Sequence, residues 1–249
     1  MRERKIRSKA RWMQDGMLMS GSAEAYFPFF DGKKHVISLV GGGGKSTLLM
    51  YLAQRFAARG MKAVIMTTTR MLCPEHVSLN IEDCRACWAC GEYAACGETT
   101  ENGKFREPKQ ALLEQLLVEA DAIIVEADGA HRLACKAPAE HEPVILPQSD
   151  IVIGVMGIEV IGGAVGVVCH RPQHVCALLG CDEDHCLTAE DMADILISEK
   201  GTRKNVGERD FYVVLNKCDN EKRQKDGLQV ISALKERGHE RVVLNRFRR

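Results

Sequence analysis

The sequence predicts an α/β protein, built on a mostly parallel sheet with helices on both faces. Three observations predict it. Short apolar runs rich in β-branched residues (36–40, 63–67, 122–125, 211–215) alternate with helical patterns (48–59, 108–119, 188–198, 221–237), and that alternation leaves few arrangements other than βαβ units. The runs are continuously apolar, as strands buried on both faces are. The polar residues able to carry chemistry follow directly after the runs, and parallel α/β sheets bind their ligands at the C-terminal ends of strands.

Composition sets the frame. The 249 residues are 45% hydrophobic and 27% charged with zero formal net charge, which is ordinary for a soluble globular chain and gives no global field favouring nucleic acid or an anionic membrane. The expected organisation is a basic, partly ordered N-terminal arm over 1–30 and a single domain over 31–249. The stretch Arg2 to Arg11 holds six basic residues against Glu3 and lacks the apolar core of a signal peptide. Eleven cysteines without a secretion signal read as reduced thiols, so the expected location is cytoplasmic. Residues 151–168 are apolar enough to suggest a membrane span. They contain five glycines and a central Glu159, and an acid there costs about 2.5–3.5 kcal/mol on insertion scales. A buried strand followed by a glycine-rich loop fits better.

In chain order, the aromatic cluster Tyr26-Phe27-Pro28-Phe29-Phe30 is expected to pack against the domain edge, and Asp31-Gly32 to turn into the first strand. Val36 to Val40 is that strand. Gly41, Gly42, Gly43, Gly44, Lys45, Ser46 and Thr47 follow it, and then Leu48, Leu49, Leu52 and Phe56 recur at helical spacing. Strand, glycine loop, Lys-Ser and helix make the layout of a phosphate-binding loop. Glycines let the backbone turn N–H groups toward phosphate oxygens, and the helix N-terminus adds partial positive charge. Lys45 would reach the β/γ-phosphates and Ser46 would hold Mg²⁺. The usual G-x-x-x-x-G-K-[ST] pattern wants glycine where Leu39 stands. The tighter Gly41-to-Ser46 loop resembles that of the Mur ligases. The fold expected is therefore a P-loop NTPase-like three-layer sandwich, and a glycine turn capped by Ser46 is the plainer alternative.

Arg59-Gly60 ends the loop helix, and 63–67 is the next strand. Thr67, Thr68 and Thr69 lie at its end, where they would give a second Mg²⁺ contact or a γ-phosphate contact, or else cap a turn with their hydroxyls. Cys84, Cys87, Cys90 and Cys96 have iron–sulfur or zinc spacing. Alternation from Cys84 to Tyr93 also reads as a strand, which cannot turn all four thiols to one ion. Pro108 opens a helix to Glu119. The strand 122–125 closes in Glu126-Ala127-Asp128-Gly129, carboxylates able to hold Mg²⁺ or polarise a nucleophile beside Lys45; an Asp-Gly turn is the bland reading. Lys136 to Pro143 reads as loop, and Arg171 after His170 as a phosphate contact or a solvated side chain. Thr188 to Asp191 resembles a capping box opening a helix to about 198. The strand 211–215 runs into Asn216-Lys217-Cys218-Asp219. An N-K-x-D there reads guanine, whose adjacent N1–H and N2–H donors suit one carboxylate. Asp219 could equally cap the following helix. Residues 241–244 form a last strand.

Taken in order, VGGGGKST, TTTRM, VEADG, KAPAEHEP, HRP and LNKCD resemble the YqeC proteins over residues 35–245. The resemblance implies a P-loop α/β fold and a role as an accessory factor in maturing the selenium-containing site of selenium-dependent molybdenum hydroxylases. Such a hydroxylase, or its maturation factors, is then the implied partner. Lys136, His141, Glu142, His170 and Arg171 gain weight only through it, and no family role passes to the cysteine cluster. The function expected is Mg²⁺-dependent binding and turnover of ATP or GTP in selenium cofactor maturation, with Lys45, Glu126 and Asp128 catalytic, Ser46, Glu126 and Asp128 on the metal, and Gly41–Thr47, Thr69, Asn216, Lys217 and Asp219 on the nucleotide. The alternatives are a Mur-ligase-like enzyme activating a carboxylate with ATP, and a GTP-switched module that turns over little by itself.

Overall fold

The structure is a computed structural model and describes residues 5–131 and 133–248. Its strands, in chain order, are β1 (Arg7–Gln14), β2 (Met17–Gly21), β3 (His35–Gly41), β4 (Ala63–Thr67), β5 (Arg70–Leu72), β6 (Ala94–Ala95), β7 (Glu98–Thr99), β8 (Lys104–Arg106), β9 (Ala122–Glu126), β10 (Cys135–Lys136), β11 (Ile151–Gly157), β12 (Cys169–His170), β13 (Asp210–Asn216) and β14 (Val242–Arg248). The helices are α1 (Ala23–Tyr26), α2 (Lys45–Ala57), α3 (Ile81–Ala89), α4 (Gln110–Glu119), α5 (Val165–Val168), α6 (Pro172–Leu179), α7 (Ala189–Ile197) and α8 (Glu221–Glu236).

Nine strands form one sheet in the order β2-β1-β14-β13-β11-β3-β9-β4-β6. From β14 to β6 every pairing is parallel. The expected mostly parallel sheet with helices on both faces is present. On one face α2 covers Ile37, Leu39, Ile65, Ile124, Ile153 and Val214. On the other, α3 and α4 cover Val64, Met66, Ile123 and Val125, and α7 and α8 cover Phe211, Val213 and Leu215. Successive strand residues therefore point to opposite apolar layers, and the runs are continuously apolar for that reason. Of the 151–168 segment that could pass for a membrane span, Ile151–Gly157 is the buried central strand β11. No helix among the described residues is long and apolar enough to cross a membrane.

Three local readings need correction. The segment read as a strand from Cys84 is helix α3. Asn80 caps it by accepting from the Asp83 N–H, and Glu82 and Asp83 sit in its first turn, the acids a helix N-terminus favours. The strand that follows is only Ala94–Ala95. Phe27 and Phe29 do not lie at the domain edge. They are buried inside the α2 layer, where Phe29 contacts Phe56 and Tyr212. The expected basic arm lies partly outside the described residues, but over 7–21 the chain is a β-hairpin. Its first strand pairs antiparallel with β14, from Arg7↔Arg248 to Arg11↔Leu244. That pairing also explains why β14 runs to Arg248, beyond the apolar residues that signalled it.

Parallel registers bring the strand ends level. Leu39 and Thr67 both pair with Glu126, Gly41 pairs with Val155, and Gly157 pairs with Asn216. The C-terminal edge of the sheet thus collects the last residues of five strands.

Candidate functional site

At that edge the chain leaves β3 and turns straight into α2. Gly41, Gly43 and Gly44 have φ of 93°, 77° and 123°, a region open to glycine and costly to other residues. Close approach matters as much as φ. A Cβ on Gly43 would lie 2.3 Å from the Gly157 nitrogen, and one on Gly42 would lie 2.7 Å from the Leu133 carbonyl oxygen. The loop is wedged between the end of β11 and the segment before β10. Its first N–H groups bond within the protein: Gly41 donates to Asp128 Oδ2 (3.0 Å), Gly42 to Val155 O (2.8 Å) and Gly43 to Leu133 O (3.1 Å). The group left for an anion is the N-terminus of α2, which has no side-chain cap and no acid in its first turn.

Lys45 opens that helix and folds back into the site. It is buried; its Nζ lies 3.1 Å from Asp128 Oδ1 and donates to the Gly41 carbonyl. Burial disfavours the ammonium, but the Asp128 and Glu126 carboxylates outweigh it and raise the pKa. Ser46 donates its hydroxyl to Glu126 Oε2 (2.9 Å). Burial raises the Glu126 pKa, with Lys45 only partly opposing it. A buried carboxylate short of positive charge, bonded to a serine hydroxyl, fits a magnesium ion that keeps several waters and takes one or two protein oxygens. No cluster of three His, Cys, Asp or Glu residues suited to a metal exists among the described residues. Ser46 and Glu126 are the paired oxygens here that could hold such an ion.

Asp128 lies beside Lys45, and a second lysine also engages it. Its carboxylate is shared between Lys45 and Lys136, whose Nζ lies 3.3 Å from Oδ2, and it also accepts from Gly41. Lys136 is 1% exposed and donates to Glu142 Oε2 (2.8 Å) and Gly129 O (2.6 Å). Glu142 in turn meets Arg171. Burial would raise the Glu142 pKa, but Lys136 and Arg171 bring it down to about 2. A chain of alternating charge, Lys45–Asp128–Lys136–Glu142–Arg171, therefore runs out from the loop. Reading the sequence in isolated motifs hid this chain. The available signal was a lysine and a glutamate among small apolar residues, Ala134, Ala137 and Ala139.

The remaining expected residues divide. Asn216 donates from Nδ2 to the Gly43 carbonyl (2.9 Å) and so fastens the loop to β13. Lys217, at φ 62°, pairs with Glu159, the acid in the middle of the apolar 151–168 segment. Asp219 is exposed and meets Arg223 at 3.3 Å. The cap of α8 is Asn220, whose side chain accepts from Arg223 N, rather than Asp219. Thr67 donates to the Glu126 carbonyl (2.9 Å) and accepts from Thr69 N, so these threonines tie β4 to β9. Thr47 is half-buried in the first turn of α2. His141 is exposed and takes part in no bond among the described residues. Cys84 and Cys96 are buried with sulfurs 3.3 Å apart, whereas Cys90 is exposed.

Two comparisons bear on this edge. The family model described as YqeC protein matches residues 37–173, which hold the glycine loop, both carboxylates, Lys136, Glu142 and Arg171. The protein named "Uncharacterized protein YqeC" from Escherichia coli (strain K12) is 33% identical, over 78% of this chain and 81% of its own length.

Proposed function

The chain belongs to the YqeC family, and on that premise we propose that it is a magnesium-dependent nucleotide-binding accessory protein in selenium cofactor maturation. The reading is carried by one convergence: the uncapped start of α2, the buried Lys45 and the Ser46–Glu126 pair meet at one strand edge. In it, phosphate oxygens take the N–H groups at the start of α2. Lys45 exchanges part of its contact with Asp128 for the nucleotide's β/γ charge, and Asp128 remains neutralised by Lys136. Ser46 and Glu126 hold Mg²⁺, which supplies charge neutralisation on the phosphates. Asn216 fixes the loop. Asp219 is the base-reading candidate, because a solvent-exposed pair with Arg223 is worth little and yields readily. ATP and GTP are both admitted. The role in selenium chemistry, and a molybdenum hydroxylase as partner, come from the family resemblance.

Turnover tests the proposal. Release of inorganic phosphate from ATP or GTP is expected to require magnesium and to be lost in Glu126→Gln. If phosphate is not released even with a selenium-dependent molybdenum hydroxylase added, hydrolysis is not what the site does.

A further inference from the structure

The charge chain does not end at the phosphate loop. β10 and β12 pair in parallel, with Cys135 opposite Cys169 and Lys136 opposite His170. Both cysteines are buried in the apolar core with Val165 and Val175. Alternation then turns Lys136 and His170 to the other face, where Lys136 reaches Asp128 and Glu142. Arg171 follows at φ 56°, a left-handed conformation unusual for arginine, as is the 47° of His131. The His131 and His170 rings stack with centroids 4.6 Å apart and planes 20° apart. Buried His170 Nε2 has no hydrogen-bond partner among the described residues.

The chain ends outward in a cation. Lys45 faces both Asp128 and Glu126, and Asp128, Lys136 and Glu142 each have an opposite charge on two sides. Arg171 has Glu142 alone, so positive charge is left at the Arg171 end. Arg171 is a quarter exposed and meets Glu142 through Nη1. Its Nε and Nη2 have no partner among the described residues. A guanidinium with free fork donors, beside an imidazole with an unbonded nitrogen, is the donor set that recognises an oxyanion.

We propose that Arg171 and His170, backed by His131, form a second anion subsite that takes a small oxyanion, of the phosphate or carboxylate class, as co-substrate. As an anion site it stands on its own residues; as a co-substrate site it rests on the nucleotide reading above. Burial, and then the neighbouring Arg171, His131 and Lys136, lower the His170 pKa, which favours the neutral ring. Lys136 joins the two sites through Asp128.

The test is calorimetric titration of inorganic phosphate, and separately of acetate, into the full-length protein. The phosphate loop is first saturated with magnesium and a non-hydrolysable ATP or GTP analogue. One bound anion is expected, and whichever titrant binds identifies the oxyanion class. Arg171→Gln should weaken that binding about tenfold or more with nucleotide affinity unchanged, and Arg171→Lys should fall between. Thermal melting shows that each variant is folded. The same titration of nucleotide-free Lys45→Ala separates the two proposals: anion binding kept there supports the subsite even if the nucleotide reading fails. No binding of either anion to the wild type, or equal binding to Arg171→Gln, overturns the subsite.

Discussion

Two regions of this molecule show comparable clusters of reactive side chains in sequence, and folding treats them oppositely. Along the C-terminal edge of the sheet, residues as far apart as Lys45, Glu126, Lys136 and Arg171 converge on one another. In the 84–96 segment, cysteines spaced like metal ligands disperse. Cys84, Cys87 and Cys90 lie along α3 and its C-cap, and on a helix positions three apart rotate by about 60° each. Cys84 therefore faces the core, where it meets Cys96 from the following loop, and Cys90 faces solvent. Strand ends in a parallel sheet share one edge whatever their separation in sequence. Close spacing on a helix spreads side chains around an axis. The difference teaches that proximity in sequence matters less than the element that carries it.

The sharpest way to break this comparison is to remove Lys136, which links the two halves of the convergent region. Lys136→Met leaves Asp128 and Glu142 each short of a buried cation, and such a loss costs about 3–5 kcal/mol. Urea unfolding measures it, and a change near zero would mean the charge chain has no structural role.

Acid sharpens the same point. The Glu142 pKa is lowered from 4.5 to about 2, so its folded form binds its proton more weakly than the unfolded chain does. Its contribution is present above the unfolded value and is lost as pH falls from 4.5 toward 2. Unfolding profiles against pH should show that loss in the native protein and a flatter limb in Glu142→Gln.

On the cysteine side, Cys84→Ser exchanges a buried thiol for a more polar hydroxyl and should cost about 1–3 kcal/mol, whereas Cys90→Ser should change stability by less than about 0.5 kcal/mol. Protein purified without oxygen should carry no stoichiometric zinc or iron. One equivalent of either would place this segment beside the sheet edge as a second convergent site.

The smallest expected effect separates neighbours. Asn220→Ala removes the observed α8 cap and should cost about 1 kcal/mol. Asp219→Ala should leave stability unchanged and alter only the preference between ATP and GTP.

These contrasts also mark what was legible in the sequence. Continuous apolar runs such as 36–40 and 122–125 announced buried parallel strands because both faces are covered. The glycine loop was legible because strand, glycines, Lys45 and helix all agreed. Helix α3 was not, since a short cysteine-rich stretch carries little periodicity and its decisive signal, the Asn80 cap with Glu82 and Asp83, lies before the cysteines. The β1–β2 hairpin was hidden because its strands hold basic and exposed residues and gain their order from β14. The role of Lys136 depends on partners at positions 128, 129 and 142, and that grouping exists only once β10 is packed beside the loop.

The central claim is that the start of α2 and Lys45 bind nucleotide phosphate with magnesium. Calorimetric titration of ATP and of GTP, with and without Mg²⁺, into wild-type and Lys45→Ala protein tests it most directly. The account predicts magnesium-dependent binding of at least one nucleotide, weakened about 10- to 100-fold in folded Lys45→Ala, the loss expected for hydrogen bonds to a charged group. No binding of either nucleotide to the wild type, or undiminished binding to Lys45→Ala, would contradict it.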